Sequence, residues 1–499
     1  MSGVEITALT EESVEAPVAA ASLEKWRPSA IAADIATLGA GTLLAGVFNV
    51  ALVFVVPRLI SVEDYGYWRL FGLYAACAGF LHFGFADGAL LRWAGKPFEE
   101  FHHEISPAVK FLFWQHVVVL IPIGLIVLPL LSGPLRFVGL AVSIYAPLYN
   151  LTALLQFSLQ GARIFRPVAI STVAAPALFC LAVMLWATKW ASSYEEVIGL
   201  FVFTWCVPLG FLLVWTRVAW RGRNGRVAEK GLGEKLLRAG WPIVMANTGV
   251  NLIQYTDRLA LSWSVTIQNF AQYSLAASAM AVPITAIQAC SKVFFSHLAS
   301  LTEDGRRQIY GSASRAVLVV WIFLLPFYFV LELVIVRFLP KYTPCLDYAR
   351  VLLLGIPFVA TIQILQISYA YLNGIQKRFL VRTVIVLAIA LGLSTGVVFL
   401  RGSLRAMALL QVAILGGWWL FNELTLRNLT AQRTNDWLKF LGVYALAASS
   451  YWFTSRPVMR AETAIAIYYL SAGIIVGFGC REELNFFFRL LIGRRVRAS

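Results

Sequence analysis

Apolar runs long enough to cross a bilayer recur along this chain from residue 34 to residue 480, separated by short polar connections. A membrane-spanning helix needs about 20 consecutive apolar residues. The 499 residues are 59% hydrophobic and only 13% charged, whereas soluble proteins carry about 25% charged residues. Such a chain lacks the polar surface that water requires. The sequence therefore predicts an all-α, polytopic membrane protein and excludes a soluble enzyme or an intrinsically disordered protein.

The length and the apolar runs predict about fourteen transmembrane helices. They are expected at 34–59, 66–92, 108–131, 135–158, 167–188, 197–217, 237–264, 270–297, 314–337, 345–373, 379–400, 402–426, 437–454 and 462–480. The connections are too short to form a soluble domain, and the sequence contains no P-loop of the ATPase type. We therefore expect a carrier and not an enzyme.

Basic residues are concentrated in alternate connections, most clearly in the linker 218–236. Cytoplasmic loops of membrane proteins collect Lys and Arg, so we predict that both termini are cytoplasmic. Residues 1–33 lack the features of a signal peptide and are predicted to form a disordered tail. Residues 481–499 are predicted to form a basic tail at the lipid surface.

The basic linker separates two halves of similar layout. Each half begins with a helix followed by a polar, aromatic turn, and an even number of helices lies between the two starts, which indicates a parallel repeat. The predicted organisation is an N-lobe at 34–217 (helices 1–6), a C-lobe at 237–426 (helices 7–12) and two additional helices at 437–480.

Short motifs occur at corresponding places in the two halves. They are EDYGY at 63–67, FGFADG at 83–88, GWP at 240–242, DR at 257–258, AQYSLA at 271–276 and PKY at 340–342. In order and spacing they resemble the polysaccharide-export flippases, the O-antigen flippase type, of the MOP (multidrug/oligosaccharidyl-lipid/polysaccharide) exporter superfamily. One departure is Arg69, which follows the first turn where such proteins are expected to carry apolar residues.

The resemblance implies two six-helix lobes around a central cavity. It further implies that the chain lies in the inner membrane of a bacterial cell. There it would flip a lipid-linked oligosaccharide on undecaprenyl diphosphate from the cytoplasmic to the outer leaflet for lipopolysaccharide O-antigen, capsule or exopolysaccharide synthesis. Glycosyltransferases and a polymerase of the same pathway would then be partners, and nucleic acid would not. Two alternatives stay open: a cation-coupled, MATE-like exporter of small molecules, and a membrane glycan polymerase or ligase.

Polar and basic side chains inside apolar runs are the candidates for the cavity wall, because an intramembrane charge is costly without a function. Asn247, Asn251 and Gln254 share one helical face with Arg258. Arginine and lysine can hold a diphosphate, and amides can bind sugar hydroxyls. The same residues could instead bond helix to helix. The complete set is Arg69, Asn247, Asn251, Gln254, Arg258, Gln288, Lys292, Gln363 and Gln366.

Carboxylates inside the spans are candidate sites for a coupling proton or sodium ion. They are Asp87, Asp257, Glu332 and Glu423. Arg69 and Asp87 are separated by five helical turns, which would place them at opposite ends of one helical face. The sequence contains no cysteine pair with metal-ligand spacing, and the run His102-His103-Glu104 is more typical of a solvated loop than of a metal site. We therefore expect no metal and no cofactor.

Overall fold

The computed structural model describes residues 28–187, 193–220, 229–299, 302–430, 434–456 and 461–480. All regular secondary structure in these ranges is helical, which confirms the predicted all-α class. The first helix begins at Pro28, within the stretch predicted as a tail. The rest of that tail, linker residues 221–228 and the C-terminal tail at 481–499 lie outside the described residues.

The helices follow the predicted spans closely, and several spans consist of consecutive shorter helices. The N-lobe contains α1 (Pro28–Leu59), α2 (Val62–Cys77), α3 (Phe85–Trp93), α4 (Phe98–Pro122), α5 (Leu128–Leu130), α6 (Gly133–Gly161), α7 (Phe165–Ala187), α8 (Tyr194–Thr204) and α9 (Cys206–Trp220). The C-lobe contains α10 (Leu232–Ile253), α11 (Thr256–Leu261), α12 (Ile267–Ala299), α13 (Glu303–Leu324), α14 (Phe327–Phe338), α15 (Cys345–Leu352), α16 (Ile356–Thr361), α17 (Ile367–Leu372), α18 (Gln376–Phe399) and α19 (Leu404–Thr430). The last two helices are α20 (Thr434–Thr454) and α21 (Ala461–Gly479).

The apolar helices make this chain a multi-pass membrane protein. In the described ranges, 10 helices are long and apolar enough to cross a membrane, and the number rises to 11 if the bent pair at 62–93 is one span. The predicted count of about fourteen is not confirmed, because α10–α11 and α20 do not meet this criterion and about half of the side chains of α12 lie outside the described residues.

The second predicted span is bent. After α2 a 3-10 turn runs to His82, and α3 then continues at 53° to this segment. Phe83 and Gly84 between them have positive φ angles of 48° and 84°, a conformation that ends a helix. The prediction that Arg69 and Asp87 share one helical face is therefore wrong, because that prediction assumed a straight helix.

The two lobes touch where α3 crosses α10. A Cβ atom added to Gly240 would lie 1.8 Å from the carbonyl oxygen of Gly84, and one added to Gly88 would lie 1.9 Å from that of Leu236. Only glycine allows two backbones to approach so closely. The motifs FGFADG and GWP, from different halves of the sequence, thus form one interlobe contact.

A second interlobe contact lies at the N-terminal end of α2. Gly66 of the EDYGY motif leaves room for Ile267, because a Cβ atom added to this glycine would lie 2.6 Å from Ile267. Beside it, the amide of Gln268 donates a hydrogen bond of 3.2 Å to the carboxylate of Glu63. The two lobes therefore meet through both ends of the bent second span.

The last two helices pack against the C-lobe. The Tyr468 hydroxyl on α21 donates a 2.8 Å hydrogen bond to the carbonyl of Ile322 on α13. Tyr444 on α20 stacks on Trp321, also on α13, with ring centroids 5.2 Å apart. The pair is thus attached to one lobe.

Candidate functional site

A cavity of about 320 Å³ lies between the lobes. One wall is a stretch of α2 in the N-lobe, from Arg69 to Ala76, and the other belongs to α10, α11, α12, α16 and α19 of the C-lobe. The polar lining residues are Arg69, Asn251, Gln254, Tyr255, Asp257, Arg258, Ser274, Ser278 and Gln411. The structure thus brings together four of the predicted cavity residues, Arg69, Asn251, Gln254 and Arg258, and one of the predicted carboxylates, Asp257.

The C-lobe wall is formed around a break in the seventh predicted span. The sequence predicted one helix over 237–264, but α10 ends at Ile253 and α11 begins at Thr256. A buried carbonyl freed by such a break must find another donor. The side-chain amide of Gln411 on α19 donates to the Ile253 carbonyl at 3.0 Å and accepts from the Thr256 hydroxyl at 3.1 Å. This pair of hydrogen bonds explains how a break without Pro or Gly is stable.

Arg258, at the start of α11, faces the cavity from the C-lobe. One Nη atom donates to the carbonyl of Gln254 at 3.1 Å, and the guanidinium lies 4.5 Å from the ring centroid of Tyr255. Its buried Nε has no hydrogen-bond partner in the described part of the chain. The guanidinium is therefore held in place with donor capacity left for a ligand.

Arg69 faces the same cavity from the N-lobe. Its Nε is also buried, and among the described residues it meets no hydrogen-bond acceptor. The positive charge of Arg258 acts on it, so two like charges share one enclosed space. An anion bound between them would relieve this repulsion.

Asp257 partly balances these charges, but both of its carboxylate oxygens already accept hydrogen bonds. The Tyr273 hydroxyl on α12 donates to its Oδ2 at 2.7 Å, and the backbone N–H of Arg258 donates to its Oδ1 at 2.7 Å. The Arg258 Nε lies 3.7 Å from Oδ1, too far for a hydrogen bond. Asp257 thus ties α11 to α12, and the two arginines outweigh it by one positive charge.

Two other predicted residues form a separate buried cluster. Glu423 accepts a hydrogen bond of 2.8 Å from the Tyr310 hydroxyl and one of 3.0 Å from the Gln366 amide, both at Oε2. Gln363 lies on the same π-helical turn as Gln366 and is buried. None of these four side chains lines the cavity, so the structure places Gln363 and Gln366 in helix packing.

The remaining candidates lie apart from the cavity or are not described. Asn247 is exposed on α10, and Glu332 on α14 is half-buried near the charge of Arg350. The side chains of Gln288 and Lys292 on α12 lie outside the described residues, so their predicted roles stay predictions.

Asp87 lies at the bend of the second span. Its Oδ2 is 3.7 Å from Nε2 of His82, which is only 6% exposed. It does not line the cavity. Its surroundings therefore belong to the contact between α3 and α10.

Sequence reasoning missed Gln411, Tyr273 and His82. Gln411 is a single polar residue in the apolar run LLQVAIL, and His82 directly precedes the FGFADG motif. Both positions carried a signal, namely an isolated polar side chain inside a predicted span. Tyr273 lies in the AQYSLA motif, but this motif does not single out its hydroxyl, because tyrosine is common in membrane helices.

Comparisons with known proteins agree with this architecture. A family model described as "Polysaccharide biosynthesis protein" matches residues 116–339. A lipid II flippase MurJ in an inward closed conformation has a TM-score of 0.63 at 14% identity, covering 91% of this chain and 99% of that one. No curated protein matches the sequence.

Two further solved structures have the same fold. A MATE in complex with MaL6 gives a TM-score of 0.53 at 13% identity, covering 80% of this chain and 97% of that one. A MOP superfamily transporter from Pyrococcus furiosus gives 0.52 at 12% identity, covering 79% and 96%.

The fold and the cavity define a class: a multi-pass membrane protein with two lobes around an internal cavity, built like the MurJ and MATE transporters. Within that class, the chain is similar in its central part to polysaccharide biosynthesis proteins. The predicted resemblance in fold to transporters of the MOP superfamily is thereby confirmed.

Proposed function

We propose that this protein flips an undecaprenyl-diphosphate-linked oligosaccharide from the cytoplasmic to the outer leaflet of the bacterial inner membrane, for synthesis of a surface polysaccharide. One observation carries the proposal. Arg69 and Arg258, from different lobes, face one cavity with buried Nε atoms that have no hydrogen-bond partner within the described ranges. The similarity to polysaccharide biosynthesis proteins supports the same substrate class.

The cavity has the chemistry that a sugar diphosphate requires. A diphosphate carries about two negative charges, and an enclosed site must compensate them. Guanidinium groups bind phosphate oxygens in a fork geometry. Asn251, Gln254 and Ser278 supply amide and hydroxyl groups for sugar hydroxyls.

The cavity volume limits what this state of the protein can hold. About 320 Å³ is at the lower end of the roughly 300–1,000 Å³ of ligand pockets. It accommodates a diphosphate and the first sugar, whereas a longer oligosaccharide needs the lobes to move apart. This size supports a mechanism of alternating access, in which two lobes rock around a central site.

The opposing arginines give that motion a physical basis. Repulsion between them disfavours closing the lobes around an empty cavity, and a dianion bound between them reverses the sign of the interaction. Substrate binding would thereby draw the lobes together.

A second candidate is a cation-coupled exporter of small molecules, which the MATE-like fold favours. The charge of the cavity argues against the cationic cargo of such an exporter, because two arginines face one carboxylate. We therefore rank it below the flippase. A membrane glycan polymerase or ligase is the third candidate, and the experiment below separates all three.

The proposal has consequences for location and partners. We place both termini in the cytoplasm, in accord with the basic linker. Glycosyltransferases would build the substrate on the cytoplasmic face, and a polymerase would consume it on the outer face. We also propose that transport is coupled to a proton or to a sodium ion.

The test is the lipid extract of a deletion strain, analysed for undecaprenyl-diphosphate-linked oligosaccharide and its leaflet. We expect completed repeat units to accumulate on the inner leaflet while surface polysaccharide is lost. Unpolymerised units on the outer leaflet would indicate the polymerase or ligase. An unchanged lipid profile with greater drug sensitivity would indicate the exporter.

A further inference from the structure

His82 lies at the bend between α2 and α3, buried against the interlobe contact. Its Nδ1 accepts a hydrogen bond of 3.0 Å from the backbone N–H of Gly84. Its Nε2 lies 3.7 Å from the Asp87 carboxylate. One imidazole thus connects a backbone amide with a carboxylate.

The hydrogen bond defines the protonation state of His82 in this conformation. A ring nitrogen that accepts an N–H carries no proton, so the imidazole is neutral and its own proton is on Nε2, towards Asp87. A second proton could bind only at Nδ1, where Gly84 now donates.

Gly84 is the residue through which the bend reaches the other lobe. It has a φ of 84°, and its carbonyl packs directly against Gly240. A change in the hydrogen bonding of Gly84 therefore acts on the contact between α3 and α10.

The other ionisable groups around this bend do not bond to Gly84. His116 on α4 is engaged elsewhere: Nδ1 donates to the Leu112 carbonyl at 2.8 Å, and Nε2 lies 2.8 Å from the Asn150 amide. Tyr149 on α6 and Tyr371 on α17 lie near enough to Asp87 to be affected by its charge.

The ionisable side chains at this end of α10 are turned away from the bend. They are the exposed Glu234, Lys235 and Arg238. His82 is thus the group whose protonation changes a bond at the contact itself.

We propose that His82 is a proton-binding site that controls the separation of the lobes at the contact between α3 and α10. A proton taken up from water at Nδ1 turns this acceptor into a donor, and the Gly84 N–H loses its partner. The Asp87 carboxylate at Nε2 then balances the imidazolium charge. Since the closed contact requires the unprotonated ring, acid favours the separated lobes. This inference rests on the alternation of the two lobes in the proposed function.

The test is the distance between the lobes as a function of pH. Nitroxide labels at the exposed positions Lys96 and Arg238, with the native cysteines replaced by serine, report this distance in the full-length protein in nanodiscs by pulsed electron resonance. Histidine titrates between about pH 5 and pH 8. We expect a longer-distance population to grow as the pH falls below about 6.5, the pKa of a histidine freed from the buried contact. A difference of one pKa unit between the two states corresponds to about a tenfold change in their ratio.

Substitutions identify the group responsible. His82→Asn keeps an acceptor for the Gly84 N–H but cannot be protonated, so the distance should no longer depend on pH. His116→Asn is the matched control and should retain the dependence. Asp87→Asn removes the balancing charge and should move the midpoint to lower pH.

Three results would overturn the inference: a wild-type distance unaffected by pH, an unchanged response in His82→Asn, or, if that variant does not fold, an unchanged midpoint in Asp87→Asn. Addition of the lipid-linked oligosaccharide separates this failure from that of the proposed function. If the substrate changes the lobe distance and acid does not, only the proton site is wrong. If neither the substrate nor acid changes the distance, the lobes do not alternate, and both the proton site and the proposed function are wrong.

Discussion

Arg69 of α2 and Arg258 of α11 belong to different lobes and line the same cavity. Each guanidinium keeps a buried Nε with no acceptor among the described residues. An anion between them would contact both lobes at once, so binding and lobe movement are linked through these two side chains. This relationship is the basis of the proposed function.

Replacing Arg258 with Ala is expected to weaken the substrate interaction about 10- to 100-fold, because a hydrogen bond to a charged group contributes about 1.5–3 kcal/mol. Arg258→Lys should have an intermediate effect, since it keeps the charge and loses the fork geometry. The measurement is surface polysaccharide in a complemented deletion strain. Arg238→Ala, whose side chain is 86% exposed, is the control and should be normal. Normal polysaccharide with Arg258→Ala would count against the site.

Replacing Gln411 with Leu is expected to destabilise the break between α10 and α11. The Ile253 carbonyl would keep only the Thr256 hydroxyl as a side-chain donor, and losing the hydrogen bond from the Gln411 amide costs about 0.5–1.5 kcal/mol. Thr256→Val removes that other donor and the hydrogen bond from the Thr256 hydroxyl to Gln411. Because the buried carbonyl keeps one donor in each single variant and none in the double variant, the double variant should lose more stability than the two single losses added together. Thermal unfolding in detergent measures this, and strictly additive losses would show that the two side chains act independently.

Gly240→Ala is expected to disrupt the interlobe contact, since its Cβ would lie 1.8 Å from the Gly84 carbonyl oxygen. Overpacking of this kind costs about 1–3 kcal/mol. Gly442→Ala on α20 meets nothing within 4 Å and is expected to be neutral or slightly stabilising, by less than about 1 kcal/mol. The melting temperature should fall for Gly240→Ala and should stay the same or rise slightly for Gly442→Ala. Equal melting temperatures would contradict the close approach of α3 and α10.

The linker before α10 is tied to α3 by an ionic contact. The Glu229 carboxylate accepts hydrogen bonds from Lys235 and from Arg92, the latter at 2.7 Å. These bonds, the one from Lys235 first, lower the pKa of the Glu229 carboxyl from its usual value. At a pH above about 4.3, the pKa of a glutamate in the unfolded chain, the lowered pKa of Glu229 stabilises the folded state. This stabilisation is lost as the pH falls through the pKa that Glu229 has in the folded protein.

The expected result is a wild-type melting temperature above that of Glu229→Gln at neutral pH. The difference should shrink as the pH falls below about 4.3. High salt at neutral pH should reduce it as well, since the pair is exposed. A difference that is constant with pH would show that the carboxylate charge has no part in it.

The sequence predicted the helices well, because a bilayer imposes a length and a polarity on every span. It also singled out Arg69 and Arg258, since charges in apolar runs are rare. It could not predict the break at 254–255, which depends on Gln411 more than a hundred residues away. Nor could it predict the bend at Phe83. Of the residues at this bend, only the neighbouring Gly84 favours a left-handed backbone conformation.

The sequence revealed the motifs but not the contacts that they make in the structure. FGFADG and GWP were placed in corresponding halves, and only the structure shows that Gly84 and Gly240 touch. In the same way Gln366 had the polarity of a cavity residue, but its amide bonds to Glu423. Spacing along a helix assigns a face, and the neighbouring helix decides what that face meets.

The most direct test of the central claim uses the purified protein in liposomes with undecaprenyl-diphosphate-linked oligosaccharide. A membrane-impermeant reagent that modifies the sugar reports how fast the lipid changes leaflet. We expect the wild type to accelerate this exchange and the double variant Arg69→Ala/Arg258→Ala to approach the rate of protein-free liposomes, with Arg238→Ala unaffected. Exchange by the double variant at the wild-type rate would contradict the account.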